Sequence, residues 1–274
     1  MNFFLFITAI GVIILIAVYG RRAFVQYRRD RLIAEPFPGE WEEILFRNVS
    51  LYRHIPASLK DQLHANMKIF LGEKHFEGCG GLEMTDEIKI TIAAQACMLL
   101  LNRKNRNYPG LSTILVYPGA YVATESIPLD DMIYVEHESV RAGESWVQGT
   151  VILAWDHVLR GARNRRDGYN VVLHEFAHQL DHEDGTIDGA PDLGTRSDYE
   201  RWARVLSRRY EQLQHDVDNR RTPALDEYGA TDPAEFFAVA TETFFEKPTH
   251  LKQHEPDLYE ELKNYYKVDP AEWD

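Results

Sequence analysis

The segment "NVVLHEFAHQLDHEDG", Asn170 to Gly185, constrains the fold of this 274-residue chain more than any other. His174 and His178 are four residues apart, so on an α-helix both side chains project from one face, one turn apart. Glu175 is offset from that face by about 100°. Apolar residues fill most neighbouring positions and favour a buried helix, although a surface helix that holds two histidines by chance is an alternative.

The two histidines and the glutamate match the pattern of zinc peptidases. Neutral imidazoles suit Zn²⁺, which lowers the pKa of a bound water to about 7. A carboxylate can take that proton and later protonate a leaving amine. The motif therefore predicts one Zn²⁺ per chain, with His174 and His178 as ligands and Glu175 as the general base.

A catalytic zinc ion usually has three protein ligands, so a third residue must be found. His182 is a poor candidate, because ligands at i, i+4 and i+8 of a straight helix span about 12 Å of rise. Glu235 and Glu242 are seven residues apart and share one face of a downstream helix. Glu235 also fits a capping box that begins at Asp232. Spacing alone leaves the choice between the two glutamates open.

Three further segments near the motif carry weaker signals. Asp181 can accept a hydrogen bond from a ligand imidazole, or it can lie on the surface at the helix end. The acidic run from Asp181 to Asp192 lacks the ligand spacing of a calcium loop, which favours a solvated loop. The run "GTVILAWD", Gly149 to Asp156, fits either an edge strand that pairs with an extended substrate or a core strand.

The N-terminus holds a long apolar run, Phe3 to Tyr19, without a charged residue. It predicts a transmembrane helix at the short end of the usual range. The arginines that follow it place its C-terminal side in the cytoplasm by the positive-inside rule; they are Arg21, Arg22, Arg28, Arg29 and Arg31. We therefore expect a membrane anchor and basic segment at residues 1–35 and a folded domain at 36–274. The expected location is the inner membrane, single-pass, with the catalytic domain facing the cytoplasm.

The remaining sequence predicts an α+β fold with a small mixed sheet packed against helices. Two helical segments precede short β-rich runs, "STILVYPGAYV", "DDMIYVEHESV" and "WVQGTVILAW", and helical spacing returns after the motif. The net charge is −13 and no basic stripe follows Arg31, so we expect no nucleic-acid partner. Cys79 and Cys97 are the only cysteines and indicate free thiols rather than a disulfide framework.

Several separated motifs resemble one family. "HEFAHQLD", "YGATDPAEFFAVATETFF", "VYPGAYV" and "GTVILAWDHVL" are similar to the Mlc titration factor A family of bacterial zinc peptidases, whose site resembles the catalytic domain of anthrax lethal factor. The similarity covers roughly residues 38–270. It implies a zincin-like metallopeptidase domain. It also implies zinc ligation by His174, His178 and Glu235, with Glu175 as the base and Tyr228 as a hydrogen-bond donor to the oxyanion or leaving group.

The same resemblance suggests two functions. One is hydrolysis of peptide or protein substrates with an aminopeptidase-like activity. The alternative is a regulatory binding protein that sequesters a transcriptional repressor of sugar uptake, with hydrolysis secondary. Hydrolysis of another amide or an ester at the same zinc ion is a third and weaker hypothesis.

Overall fold

A computed structural model of the chain describes residues 2–103, 107–130, 133–141, 143–146 and 149–273. The chain divides into two compact units, Met1–Phe37 and Pro38–Asp274. The first unit contains helix α1 (Asn2–Ala34). Four residues of the predicted β-rich runs, Asp131, Met132, Val147 and Gln148, lie outside the described residues.

The prediction of a transmembrane helix is wrong. Helix α1 continues without a break through the arginine-rich segment, so the apolar run and the charges belong to one helix. Within the described residues, none of the helices is long and apolar enough to cross a membrane. An uncharged run of this length rises about 25 Å as a helix, short of the ~30 Å hydrocarbon layer. The predicted single-pass inner-membrane location is therefore wrong as well, and the membrane contact inferred from it has no support in the described residues.

The second unit contains the remaining helices and the strands. The helices are α2 (Gly39–Asn48), α3 (Ala57–Glu73), α4 (Asp86–Met98), α5 (Trp155–Arg163), α6 (Val171–Asp181), α7 (Arg196–Asp218), α8 (Pro233–Glu246), α9 (Pro248–His254) and α10 (Pro256–Tyr266). The strands are β1 (His75–Gly78), β2 (Thr113–Tyr117), β3 (Tyr121–Asp130), β4 (Ile133–Arg141), β5 (Gly143–Trp146) and β6 (Thr150–Ala154).

The main sheet has the strand order β1-β2-β6-β5. Strands β1, β2 and β6 are parallel, with Ile114 opposite Phe76 on one side and Val151 on the other. Strand β5 pairs antiparallel with β6, and β3 and β4 form a separate antiparallel pair. Strand β6 therefore lies inside the sheet, so the edge-strand interpretation of "GTVILAWD" is wrong and the core-strand interpretation is confirmed.

The fold class also needs correction. A zincin-like α+β domain with a small mixed sheet and an N-terminal transmembrane helix was expected, whereas the described chain is mostly helical, with three short parallel strands and one antiparallel strand in its main sheet. The β-rich runs do form strands, but those of the main sheet are only four or five residues long. Helix α7 alone has 23 residues, so the helical segments outweigh the sheet.

Helix α6, which carries the histidine motif, lies inside the second unit. Phe176 points into an aromatic cluster, with its ring centroid 4.9 Å from that of Tyr108 and 5.7 Å from that of Phe70. The Tyr108 hydroxyl donates a hydrogen bond of 2.7 Å to the carbonyl oxygen of Ala96. Ten of the eleven residues of α6 are buried. The alternative of a surface helix is therefore wrong, and packing on both sides fixes how the helix presents its histidines.

Candidate metal centre

The motif helix begins at a capped position. Asn170 is the N-cap of α6, and its side-chain oxygen accepts a hydrogen bond of 3.1 Å from the backbone N–H of Leu173. Such a cap satisfies one of the free N–H groups in the first turn and fixes where the helix starts. The start point sets the rotation of the helix, and with it the direction of His174 one turn later.

The two histidines of the motif converge through the same ring nitrogen. The Nε2 atoms of His174 and His178 lie 3.3 Å apart, and the two rings are nearly perpendicular, with centroids separated by 4.9 Å. His178 is buried and His174 is only partly exposed. The lone pairs on the two Nε2 atoms can therefore reach a common point.

Glu235 joins this pair from the first turn of α8. The Asp232 side chain caps that helix by accepting hydrogen bonds from the backbone N–H groups of Ala234, at 2.9 Å, and Glu235, at 3.0 Å. The Glu235 carboxylate faces the imidazoles, with Oε2 3.0 Å from His174 Nε2 and Oε1 3.6 Å from His178 Nε2. The aspartate that caps the helix and the glutamate that faces the imidazoles are thus different residues of one turn.

The three side chains fit a divalent metal ion. Their ligand atoms all lie within 4.8 Å of one another. In the described part of the chain, Oε2 of Glu235 is buried without a hydrogen-bond partner, although it faces His174 Nε2. Two acceptor atoms at this separation repel unless a proton or a cation lies between them. Two imidazole nitrogens and one carboxylate oxygen form a ligand set that catalytic zinc sites use.

The charge balance at Glu235 agrees with this position. Burial raises its pKa, but the nearby imidazoles of His174 and His178 outweigh burial and hold the pKa of the carboxyl well below its usual range. Glu235 is therefore an anion at neutral pH. An ionised carboxylate is the form that binds a metal ion.

Glu242 occupies a different position from Glu235. Its Oε1 lies 2.8 Å from Nδ1 of His174, the ring nitrogen on the opposite side from Glu235. Its side chain is 3% exposed, against 18% for Glu235. Glu235 and Glu242, which spacing alone does not separate, thus lie on opposite sides of the His174 imidazole. Among the described residues, only Glu235 belongs to the converging group.

Glu175 and Tyr228 flank the converging group. Glu175 is buried on α6, and burial raises the pKa of its carboxyl to about 7 against the opposing charges of the two histidines. Tyr228 lies in the 3-10 turn Glu227–Ala230, with its ring centroid 6.0 Å from that of His174. Burial and the charges of Glu235 and Glu175 raise the pKa of Tyr228 to about 12. Its hydroxyl therefore keeps its proton at neutral pH.

The sequence comparison decides the family. The profile described as Glucose-regulated metallo-peptidase M90 matches residues 24–267. The chain belongs to this metallopeptidase family. The metal-compatible group of His174, His178 and Glu235 therefore lies in a member of a metallopeptidase family.

Individual relatives agree with this membership. An uncharacterized protein of Synechocystis sp. is 41% identical over 96% of this chain and 98% of its own length. A Mlc titration factor A of Serratia proteamaculans is 32% identical, covering 73% of this chain and 76% of the relative. The Mlc titration factor A of Pectobacterium atrosepticum is 31% identical, covering 78% and 82%. The resemblance to the Mlc titration factor A family is confirmed.

The end of α6 in this M90 family member differs from both interpretations of Asp181. Asp181 is fully buried, and its Oδ2 accepts a hydrogen bond of 2.8 Å from the backbone N–H of Gly189. The carbonyl oxygen of Gly189 in turn accepts a hydrogen bond of 2.8 Å from Nε1 of Trp202. His182 begins the 3-10 turn after the helix and is not part of the metal-compatible group found among the described residues. Asp181 thus anchors the acidic loop to the core.

Sequence reasoning missed a buried polar network behind His174. Asn170, Gln95 and Glu246 belong to it, together with Glu242. A signal for Asn170 was present, since asparagine directly before an apolar helical run is a common N-cap. Gln95 and Glu246 lie 75 and 76 residues from Asn170 in the chain and gave no local signal.

Proposed function

We propose that this chain is a zinc metallopeptidase that hydrolyses peptide bonds in peptide or protein substrates. The observation that carries the proposal is the convergence of the two Nε2 atoms and the Glu235 carboxylate, whose ligand atoms lie within 4.8 Å of one another. One oxygen of that carboxylate, Oε2, is buried and has no hydrogen-bond partner among the described residues. His174, His178 and Glu235 would hold one Zn²⁺. When bound, the ion would polarise a peptide carbonyl and acidify a water molecule.

Glu175 acts as the general base and acid in this proposal. Its carboxyl has a pKa raised to about 7 by burial, so it can both accept and release a proton near neutral pH. It takes a proton from the attacking water and passes a proton to the amine that leaves. Its place on α6 directly after His174 supports this role, because it lies beside the proposed metal ligands and is not a member of the converging group.

Tyr228 supplies a hydrogen bond to the developing negative charge. Its hydroxyl stays protonated because its pKa is raised to about 12, and 54% of the residue is exposed, so a substrate can reach it. A neutral donor placed beside a forming oxyanion, or beside the leaving group, stabilises the transition state more than the ground state.

The proposed activity is aminopeptidase-like. This part of the proposal rests on the family resemblance rather than on a contact within the site. It predicts that the full chain cleaves peptides with a free N-terminus faster than the same peptides with an acetylated N-terminus. Equal rates on the two series, with zinc bound, would replace it with a broader endopeptidase activity.

The experiment that tests the mechanism is Glu175→Gln in the full chain. Metal content and peptide hydrolysis are measured for the wild type, for this variant and for Glu211→Gln, which removes an exposed carboxylate from α7. We expect Glu175→Gln to keep its zinc and to lose about 10²–10⁴-fold in hydrolysis, the usual range for general acid–base catalysis. Glu211→Gln should match the wild type. Hydrolysis by Glu175→Gln at the wild-type rate would rule out this role.

A second candidate function is binding of a regulatory protein. It is favoured by the name of the relatives, Mlc titration factor A, which describes titration of Mlc. We propose that this chain can bind a transcriptional repressor of this kind. Capture of purified Mlc by both the wild type and Glu175→Gln would support binding that is separate from hydrolysis. Failure of both proteins to capture Mlc at micromolar concentration would reject it.

A further inference from the structure

A buried polar network connects three helices behind the candidate metal centre. Its members are almost completely buried: Gln95 on α4, Asn170 at the start of α6, and Glu242 and Glu246 on α8. Buried polar groups are retained only where they are hydrogen-bonded, and removing one partner leaves the other unsatisfied at considerable cost. The network therefore needs a reason to exist in the middle of an otherwise apolar core.

Asn170 is the centre of this network, and both the oxygen and the NH₂ group of its side chain are hydrogen-bonded. Its oxygen accepts from the Leu173 N–H, while its Nδ2 donates to Gln95 Oε1 at 2.8 Å and to Glu246 Oε1 at 2.9 Å. One acceptor site and two donor sites are thus engaged, which fixes the orientation of the amide. Gln95 is fixed in turn, since its Nε2 donates a bond of 3.0 Å to the carbonyl oxygen of Thr91.

Glu242 receives two donors from different elements. One of its oxygens accepts a short hydrogen bond from the backbone N–H of Asn170. The other lies 2.8 Å from His174 Nδ1. A carboxylate can accept both, and the result is a direct connection between the N-cap of α6 and the rear nitrogen of the first histidine. An ionised carboxylate can only accept in this contact, so it favours the tautomer with the proton on Nδ1 and the lone pair of the ring on Nε2.

We propose that Glu242 and Asn170 are positioning residues, which together hold His174 in the Nδ1–H tautomer and aim its Nε2 lone pair at the metal position. The inference rests on the proposed function, because it assumes that a metal ion is bound at Nε2. Partners of this kind commonly set the tautomer and ring orientation of ligand histidines. Here the partner is itself held by the residue that starts the motif helix.

The geometry explains why a carboxylate, and not an amide, is required at position 242. Both of its contacts are donors, the Asn170 N–H and the His174 Nδ1–H. Glutamine has one acceptor oxygen and one donor NH₂ group. In one orientation the NH₂ group faces the Asn170 N–H, which is itself a donor. In the other orientation it faces His174 Nδ1. If the amide oxygen stays with Asn170, the NH₂ group favours the tautomer with the proton on Nε2. That tautomer cannot bind a metal ion through Nε2.

The test compares Glu242→Gln with Glu261→Gln in the full chain. Glu261 on α10 is similarly buried and pairs with Arg201, outside both the polar network and the metal-compatible group, so it controls for the loss of a buried carboxylate. Zinc affinity is measured by competition with a chromophoric chelator, and thermal unfolding is recorded for each protein. We expect Glu242→Gln to weaken zinc binding about 10–100-fold, the usual loss when such a partner is removed. Glu261→Gln should bind zinc with an affinity close to that of the wild type.

The outcomes separate this inference from the proposed function. If the wild type binds no zinc, the proposed function fails. If the wild type binds zinc and Glu242→Gln binds it equally well, or if both variants lose affinity to the same extent, the positioning role is wrong. A second measurement does not depend on folding of the variants: ¹⁵N spectra of the zinc-loaded wild type should show His174 with the proton on Nδ1. A proton on Nε2 would overturn the inference.

Discussion

Glu235 and Glu242 lie on the same face of α8, two turns apart, yet their surroundings give them opposite properties. The side chain of Glu235 is 18% exposed and faces two imidazoles through their Nε2 atoms. Glu242 is 3% exposed and meets one imidazole at Nδ1. The imidazoles hold the pKa of Glu235 well below its usual range, whereas burial raises the pKa of Glu242 despite its contact with His174.

The difference shows that residue type and helical spacing do not decide the role of a carboxylate. The position of α8 relative to α6 does, because it places His174 between the two glutamates. The outer carboxylate reaches the open side of the ring, where a metal ion can be shared with His178. The inner one reaches the closed side, where it can only accept hydrogen bonds. The comparison can be tested by substituting either glutamate, or by changing Tyr228 or the turn that carries Glu235.

The largest expected effect follows from Glu235→Ala. Removal of a ligand should weaken zinc binding by more than the ~10–100-fold expected for a residue that only hydrogen-bonds a ligand, such as Glu242, and hydrolysis should fall with the zinc content. Equilibrium dialysis against zinc, carried out on Glu235→Ala and Glu242→Ala side by side, measures the contrast. Normal zinc affinity in Glu235→Ala together with its loss in Glu242→Ala would reverse the assignment of the two residues.

Tyr228→Phe should have a smaller effect, on the rate alone. The phenol is outside the metal-compatible group, so we expect zinc content to be unchanged. Loss of one hydrogen bond to the oxyanion typically lowers kcat by about 10²–10³-fold. Steady-state kinetics with a saturating peptide substrate, alongside metal analysis, provides the check. A loss of zinc, or a change only in KM, would argue against this role.

The smallest expected effect comes from Gly189→Ala. Gly189 has φ of +78°, and a Cβ there would overlap the carbonyl oxygen of Pro233, the first residue of α8. We expect the free energy of unfolding to fall by about 1–3 kcal/mol. Zinc affinity should also fall modestly, because the displaced turn carries Glu235 but not Glu242. Chemical denaturation and zinc titration measure the two effects.

Gly185→Ala is the matched control for this substitution. Gly185 also has a positive φ, +98°, but a Cβ there would meet no other heavy atom within 4 Å. Gly185→Ala should therefore lower the free energy of unfolding only through backbone strain, by about 1–2 kcal/mol. Its zinc affinity should equal that of the wild type. Equal zinc affinity in both variants would mean that the Gly189 contact does not position the first turn of α8.

Much of the candidate site could be predicted from local sequence. The spacing of His174 and His178 places them on one helical face, and the N-cap at Asp232 is visible in the order of residues around Pro233. Thr85, a residue type common at N-caps, directly precedes α4, and its side chain accepts a hydrogen bond from the Ile88 N–H. These features depend on neighbours within one helical turn.

The remainder depends on contacts between distant segments. Nothing local separates Glu235 from Glu242, and the distinction appears only when α8 crosses α6. Asp181 was expected at the surface or at a ligand imidazole, but the loop that follows folds back so that Gly189 covers it. The apolar run Phe3 to Tyr19 was predicted to span a membrane although its length is at the short end of the range, and in the structure it continues into the arginine-rich segment as one helix.

The most direct test of the central claim is peptide hydrolysis by the full chain before and after removal of its metal. The chain as purified is assayed, treated with a chelator, dialysed, and assayed again with and without one equivalent of Zn²⁺. We predict that hydrolysis is lost with the metal and restored by zinc, and that Glu175→Gln stays inactive in the restored state. Hydrolysis that persists without metal, or no hydrolysis of any peptide by the zinc-loaded chain, would contradict the account.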